Sequence, residues 1–192
     1  MPMCFEFEVS IRDISPRIWR SFLLHGKATF EDLHLAIQDS SVWKNYHPYL
    51  FRADVEGAVI ARKDDVVLDD WPDPLGKDVP LSSFFTINGG APPVTSCVYE
   101  YTLDEGWLLD VILRKRIRID ERFHRRLLSG AHAFPPEDCR GMQGYLECVR
   151  VVKEADESGD PDWDDKDGWF DFLKGWRPET FDPKTVGKTF NR

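Results

Sequence analysis

The chain lacks any uninterrupted apolar run of the roughly 18 residues a membrane helix needs. Its opening residues alternate polar with apolar instead of building a basic start and a greasy centre. Neither a membrane span nor a secretory leader is expected, and the cytoplasm is the expected compartment. Cysteine is scarce: Cys4, Cys97, Cys139 and Cys148 are the full set, and no two have the two-residue spacing of a zinc knuckle or a thiol redox pair. They read as free, buried thiols. No Gly-x-Ser-x-Gly context presents a serine nucleophile, and no glycine-rich loop runs into lysine and serine or threonine to cradle phosphate. Asn88-Gly89-Gly90 reads as a turn. No internal repeat is visible. Positive charge is in deficit, with 25 Lys and Arg against 34 Asp and Glu, a net charge of −9 and a pI near 5.0. Most of the surface then repels phosphate backbones, which makes nucleic acid a disfavoured partner.

What is present builds one α+β domain over residues 1–192, with 42% hydrophobic residues to supply a core. Phe5, Phe7, Val9 and Ile11 alternate with Glu6, Glu8 and Ser10 at the two-residue period of a half-buried strand. A turn at residues 13–16 leads to a returning strand through Ile18, Arg20, Phe22 and Leu24, with Trp19 on its other side. Thr29 followed by Asp32 is a weak capping box. It opens a helix to about Ser41, whose face carries Phe30, Leu33, Ala36 and Ile37, with His34 at its flank. Residues 43–51 are densely aromatic. A second hairpin is expected from residues 98–101 and 107–113. A helix is expected over residues 142–152, and Asp182-Pro183 opens a last one, aspartate capping and proline fitting the first helical position. The expected architecture is a mixed or antiparallel sheet of at least two hairpins, covered by helices.

Charge is unevenly spread. Residues 154–171 carry nine acids against Lys166, and 154–168 read as an acidic loop. Residues 114–126 carry seven bases, Arg114, Arg122, Arg125 and Arg126 among them, against Asp120 and Glu121. This basic stripe, with Arg17 and Arg20 flanking Trp19, is a candidate interaction surface. It is suited to an acidic protein partner, the chain's own acidic stretch included.

Several motifs occur in order: Ser15-Pro16-Arg17-Ile18-Trp19-Arg20, Thr29-Phe30-Glu31-Asp32-Leu33-His34, Trp43 with His47 and Phe51, Pro135-Pro136-Glu137-Asp138-Cys139, Gly144-Tyr145 and Phe181-Asp182-Pro183. Together they resemble the plasmid pRiA4b ORF-3-like family across nearly the whole chain. The resemblance implies an α+β fold, an association with plasmids and mobile elements, and no settled activity. The chain departs from the family pattern at Tyr49 and Leu109, where histidine is usual, and at Phe134, where cysteine is usual. It departs again at Arg140, where glycine is usual, and in the turn at residues 102–105.

The polar cluster His34, His47, His132, Glu137, Asp138 and Cys139 has the donor types of a zinc site. It has no helix-fixed pair and no second nearby cysteine, so no metal is assigned. Adjacent carboxylates on an extended segment rarely face one cleft, so Glu137 or Asp138 is expected to accept amide hydrogen bonds near the start of the next turn instead of the two forming an acid and base pair. Convergence of His34, His47 and a carboxylate in one cleft would favour an enzyme, hydrolase-like or metal-assisted. No catalytic residue and no cofactor is assigned, and the leading expectation is a noncatalytic interaction or accessory domain. An accessory role at nucleic acid is a further alternative. Trp19, His47 and Trp107 are expected to meet at an aromatic junction between the hairpins.

Overall fold

The computed structural model describes residues 1–54, 56–63, 74–86, 93–102, 106–159, 173 and 175–191. Seven strands form one antiparallel sheet in the order β4-β3-β5-β6-β1-β2-β7. They are β1 (Met3–Ile11), β2 (Trp19–His25), β3 (Tyr49–Arg52), β4 (Val59–Arg62), β5 (Ser96–Tyr101), β6 (Trp107–Arg118) and β7 (Arg125–Ala131). Among the described residues the helices with given bounds are α1 (Phe30–Ser41), the short α2 (Leu81–Phe84), α3 (Gly141–Ser158) and α4 (Pro183–Phe190). Both expected hairpins are present, with β1 paired to β2 and β5 to β6. The expected α+β class is what the chain adopts.

The two-residue period sorts the sheet into two unlike faces. Phe5, Phe7, Val9 and Ile11 of β1 are buried on one face, and register places beside them Phe22 and Leu24 of β2 and Leu109, Val111 and Leu113 of β6. Tyr99 and Tyr101 of β5 and Tyr49 and Phe51 of β3 continue the same face. The larger helices cover it. Phe30 of α1 meets Phe51 edge to face at 5.0 Å, Phe190 of α4 meets Phe22 at 5.5 Å, and Tyr145 of α3 meets Trp107 at 6.4 Å. On the opposite face Glu6 pairs with Lys115, Glu8 with Arg17 and Arg114, Asp110 with Arg12, and Glu100 with Arg52. None of the described helices packs on that face.

Capping sets the helix starts. Thr29 Oγ1 accepts from the Asp32 amide at 3.3 Å while the Asp32 carboxylate accepts from the Thr29 amide at 2.8 Å, completing the expected capping box. Asp182 accepts from the Lys184 amide at 2.9 Å and Pro183 begins α4. Gly144 is required where α3 passes its own entry loop, because a Cβ there would collide with the Cys139 carbonyl oxygen.

Two elements depart from expectation. α3 continues to Ser158, so the acidic stretch begins inside a helix. There Arg150 holds Glu154 at 2.5 Å one turn away, and Arg177 holds Asp156 at 3.1 Å. Residues 160–172 lie outside the described residues, as do residues 87–92 and 103–105, where turns are expected. β7 occupies the end of the basic stripe, where arginine masks the strand period. A bulge between Glu6 and Phe7 shifts the β1–β6 register and sets Arg116 opposite Phe5. Its guanidinium then lies 5.1 Å from the Phe5 ring and donates to the Phe85 carbonyl.

Candidate functional site

The segment after α1 and the Pro135-Pro136-Glu137-Asp138 segment meet over the buried ends of β3 and β5. Glu137 makes this junction. Its carboxylate accepts from the Lys44 amide at 2.7 Å, from the Tyr46 amide at 3.3 Å and from the Tyr101 hydroxyl. Trp43 stacks on Tyr101 with ring centres 5.0 Å apart and donates from Nε1 to the Pro135 carbonyl at 2.8 Å. Asp138 accepts from His47 Nε2 at 2.7 Å on the surface, where their side chains are 55% and 30% exposed. Glu137 therefore takes amide hydrogen bonds as expected, though from a segment about 90 residues earlier instead of from its own turn.

His34 lies deeper, at 1% exposure, which corrects its expected place at the core edge. Its ring stacks on Tyr49 at 3.7 Å, with Nδ1 2.8 Å from the Tyr99 hydroxyl and Nε2 2.8 Å from Asn45 Oδ1. Gln38, one helical turn on, donates to the same Tyr99 hydroxyl at 2.9 Å and accepts from the Asn45 amide at 3.0 Å. Burial pulls the His34 pKa down to about 4, the Asn45 contact opposing it, so the ring is neutral at pH 7. Both nitrogens are occupied, and the imidazole faces aromatic rings instead of an open cleft. Sequence reasoning missed Gln38, Asn45, Tyr99 and Tyr101. Gln38 was legible as the i+4 partner of His34, and Tyr99 and Tyr101 as the core side of an alternating strand.

The remaining members of the polar cluster stand apart. Cys139 is buried, donates weakly to the Gly141 carbonyl at 3.8 Å, and has its thiol pKa pushed up by the neighbouring Cys148 sulfur and by burial. All four cysteines are free and buried, as expected. His132 sits in the left-handed region at φ 62°, with Nδ1 buried and without a hydrogen-bond partner. Among the described residues no group of three or more His, Cys, Asp or Glu side chains is arranged to hold a metal ion. Tyr49 lies against His34, Leu109 is opposite Tyr99, and Phe134 meets Trp43 at 5.3 Å. All are buried in this aromatic seam.

The candidate interaction residues split between the two faces. Arg17 and Arg114 share Glu8 at 2.6 Å each, and Arg17 lies 6.0 Å from the half-buried Trp19 ring, all on the face that no described helix covers. Arg20 is on the other face and is buried. It donates to the carbonyls of Ser40, Trp19 and Ala131, and lies 4.8 Å from the Phe134 ring and 3.9 Å from that of Phe181. Arg125 is buried as well, held by Asp39 and the Phe190 carbonyl. These two arginines are structural, which removes them from the expected surface. Arg126 pairs with Glu121 and lies over Phe123, while Arg122 is exposed in the turn before β7. The aromatic junction centres on Trp43, Tyr101, His34 and Phe134, and two of its three expected members reach it: the His47 ring meets Tyr101 edge to face at 5.7 Å, and Trp107 is the cross-strand partner of Tyr101 and meets Tyr145. Trp19 does not, because it lies on the opposite face of the sheet.

A two-layer α+β domain with an aromatic seam under a carboxylate clasp is the class that fold and site define. The chain belongs to the family described as plasmid pRiA4b ORF-3-like protein, whose model matches residues 3–185. It is similar to a solved structure, that of a protein of unknown function from Methanosarcina mazei Go1, at 28% identity and a TM-score of 0.73, covering 97% of this chain and 98% of that one. No curated protein matches the sequence. Among the described residues no helix is long and apolar enough to cross a membrane.

Proposed function

We propose that this domain is a noncatalytic, cytoplasmic interaction module that receives an acidic protein partner on the sheet face that no described helix covers. The observation that carries the reading is the placement of Arg17, Trp19 and Arg114 around Glu8 on the face that no described helix covers. Leu108 and Ile112 lie partly exposed on the same face of β6 and supply apolar contact. Arg12, Arg17, Arg52, Arg114 and Lys115 there meet Glu6, Glu8, Glu100 and Asp110, a local excess of base on a chain of net charge −9. Such a field favours an acidic partner and weakens as salt screens it.

The polar cluster supports the noncatalytic part of the reading. Glu137 is spent on two amides and a tyrosine, and His34 on Tyr99 and Asn45. A second reading, a hydrolase-like site, would centre on His47 and Asp138, whose 2.7 Å contact is at the surface. Fluorescence anisotropy with labelled acidic peptides carrying a central Phe or Trp, over a series of salt concentrations, tests the interaction reading. Saturable binding that weakens with salt and is lost in Arg17→Glu/Arg114→Glu supports it. Binding unchanged by that double substitution contradicts it.

A further inference from the structure

Cys139 lies in the entry to α3 and Cys148 two turns into it, and the packing at Gly144 brings them together. The Cys139 carbonyl oxygen lies 1.4 Å, and its Cα 3.6 Å, from the position a Cβ would take on Gly144. Cys148 is four residues on from Gly144 and on the same helical face, where Cβ positions are about 5–6 Å apart. Helical side chains lean toward the N-terminus, so the Cys148 thiol points back over Gly144 and toward Cys139. Two consecutive left-handed residues, Arg140 at φ 63° and Gly141 at φ 70°, make the reversal that returns the chain onto its own helix.

The two thiols are in hydrogen-bonding contact, Cys139 donating to the Cys148 sulfur. That contact pulls the Cys148 thiol below its ordinary value, outweighing burial, and holds the Cys139 thiol above it, with burial acting in the same direction. Both side chains are enclosed, at 1% exposure for Cys139 and 0% for Cys148, within the core that also holds Tyr145. The thiols of Cys4 and Cys97 are buried too, but burial is what raises each of them, opposed at Cys4 by Arg126, and no second sulfur takes part. The pair at the start of α3 therefore combines a favoured thiolate with a second thiol already against it, the two ingredients of disulfide formation.

We propose that Cys139 and Cys148 are a site of reversible oxidation, joined by an intramolecular disulfide when hydrogen peroxide reaches them. The Cys148 thiolate attacks one peroxide oxygen; the S–O bond forms, the O–O bond breaks, and hydroxide leaves as water with the proton Cys148 had released. The Cys139 thiol then attacks the sulfenic sulfur of Cys148; the S–S bond forms, the S–O bond breaks, and the hydroxide departs as water with the Cys139 proton. The two thiols lose two electrons and two protons, and one peroxide becomes two waters. Enclosure of both sulfurs selects a water-sized oxidant over one as bulky as glutathione disulfide. The bridge ties the segment that carries Glu137 to α3, and in a reducing compartment it is transient, as disulfides of redox sensors are. The site is independent of the proposed protein-binding face.

Treatment of the reduced full chain with hydrogen peroxide, quenched by alkylation in urea and followed by tryptic mapping without reductant, tests the site. Two of the four thiols should be lost, with peptides 127–140 and 141–150 linked to each other and separated again by dithiothreitol. Met1, 77% exposed, becomes the sulfoxide in the same sample and reports the dose. Four alkylated thiols once Met1 is converted, or linkage through Cys4 or Cys97, would overturn the proposal. Equal linkage by glutathione disulfide would overturn the choice of oxidant. Dimedone labelling assigns the roles: Cys139→Ser should trap the sulfenic acid at Cys148, and Cys148→Ser should leave Cys139 unlabelled. Label at Cys139 in the second variant would overturn Cys148 as the attacking thiol. The linkage itself is read on the parent chain, so it is decided even where a serine variant fails to fold.

Discussion

Replacing Glu137 by alanine separates a structural clasp from a reaction centre. The substitution removes an acceptor shared by the Lys44 amide, the Tyr46 amide and the Tyr101 hydroxyl. Water can replace the carboxylate at the two amides, which belong to an exposed segment. Tyr101 is different: it is buried beneath Trp43, and its hydroxyl keeps contacts only from the backbone amides of Tyr46 and His47, the latter at 3.4 Å, which cannot accept its proton. A hydrogen bond to a charged group contributes about 1.5–3 kcal/mol, and leaving a buried partner unsatisfied falls at the upper part of that range. The expected loss is about 2–3 kcal/mol, or about 4–12 °C in melting temperature for a domain of this size. Asp138→Ala removes one partly exposed pairing with His47 and should cost at most about 1 kcal/mol. Urea denaturation of both variants beside the parent reads the difference. A Glu137→Ala loss below about 0.5 kcal/mol would refute the clasp, since that is the scale of a neutral surface change.

Three further outcomes follow from the burial and backbone geometry. His34 has a folded-state pKa of about 4, below its unfolded value, so the unfolded chain takes up the proton first. The His34 contribution to stability is whole above about pH 6.5 and is lost as pH falls toward 4, costing about 2 kcal/mol by pH 5; His34→Gln should flatten the parent's pH 7 to pH 5 difference by that amount, and an unchanged difference would refute it. Trp107, 3% exposed beneath Tyr145, should cost about 3–5 kcal/mol on change to alanine, and a loss under about 1 kcal/mol in chemical denaturation would remove it from the core. Val42 ends α1 at φ 66° with its side chain 71% exposed, so Val42→Gly should stabilise by about 0.5–1 kcal/mol in thermal melts, relieving a left-handed β-branched residue.

The first two strands, α1 with its capping box, the second hairpin and α4 were legible because each rests on a local rule: alternation, a cap or a proline at the first turn. β7 was not, because Arg125 and Arg126 occupy strand positions whose charge hides the period, and only pairing to β2 and a salt bridge to Asp39 account for them. The site was legible in its parts and not in its assembly. Glu137 was recognisable as an amide acceptor from the prolines before it, but its partners follow α1, about 90 residues away, a distance no local pattern spans. Arg20 and Arg125 illustrate the opposite error. Composition assigns arginine to the surface, whereas three carbonyls and two rings hold Arg20 in the interior, where burial lowers its pKa to about 9 and still leaves it charged at neutral pH.

The central claim is that the sheet face no described helix covers, not the His47–Asp138 rim, is where this domain meets its partner. Amide and indole NMR of the chain titrated with an acidic, aromatic-bearing peptide tests it directly. The account predicts saturable shifts at Trp19, Leu108, Ile112 and Arg114, attenuated by salt. Shifts confined to His47, Asp138 and Tyr46, with the sheet face silent, would contradict it.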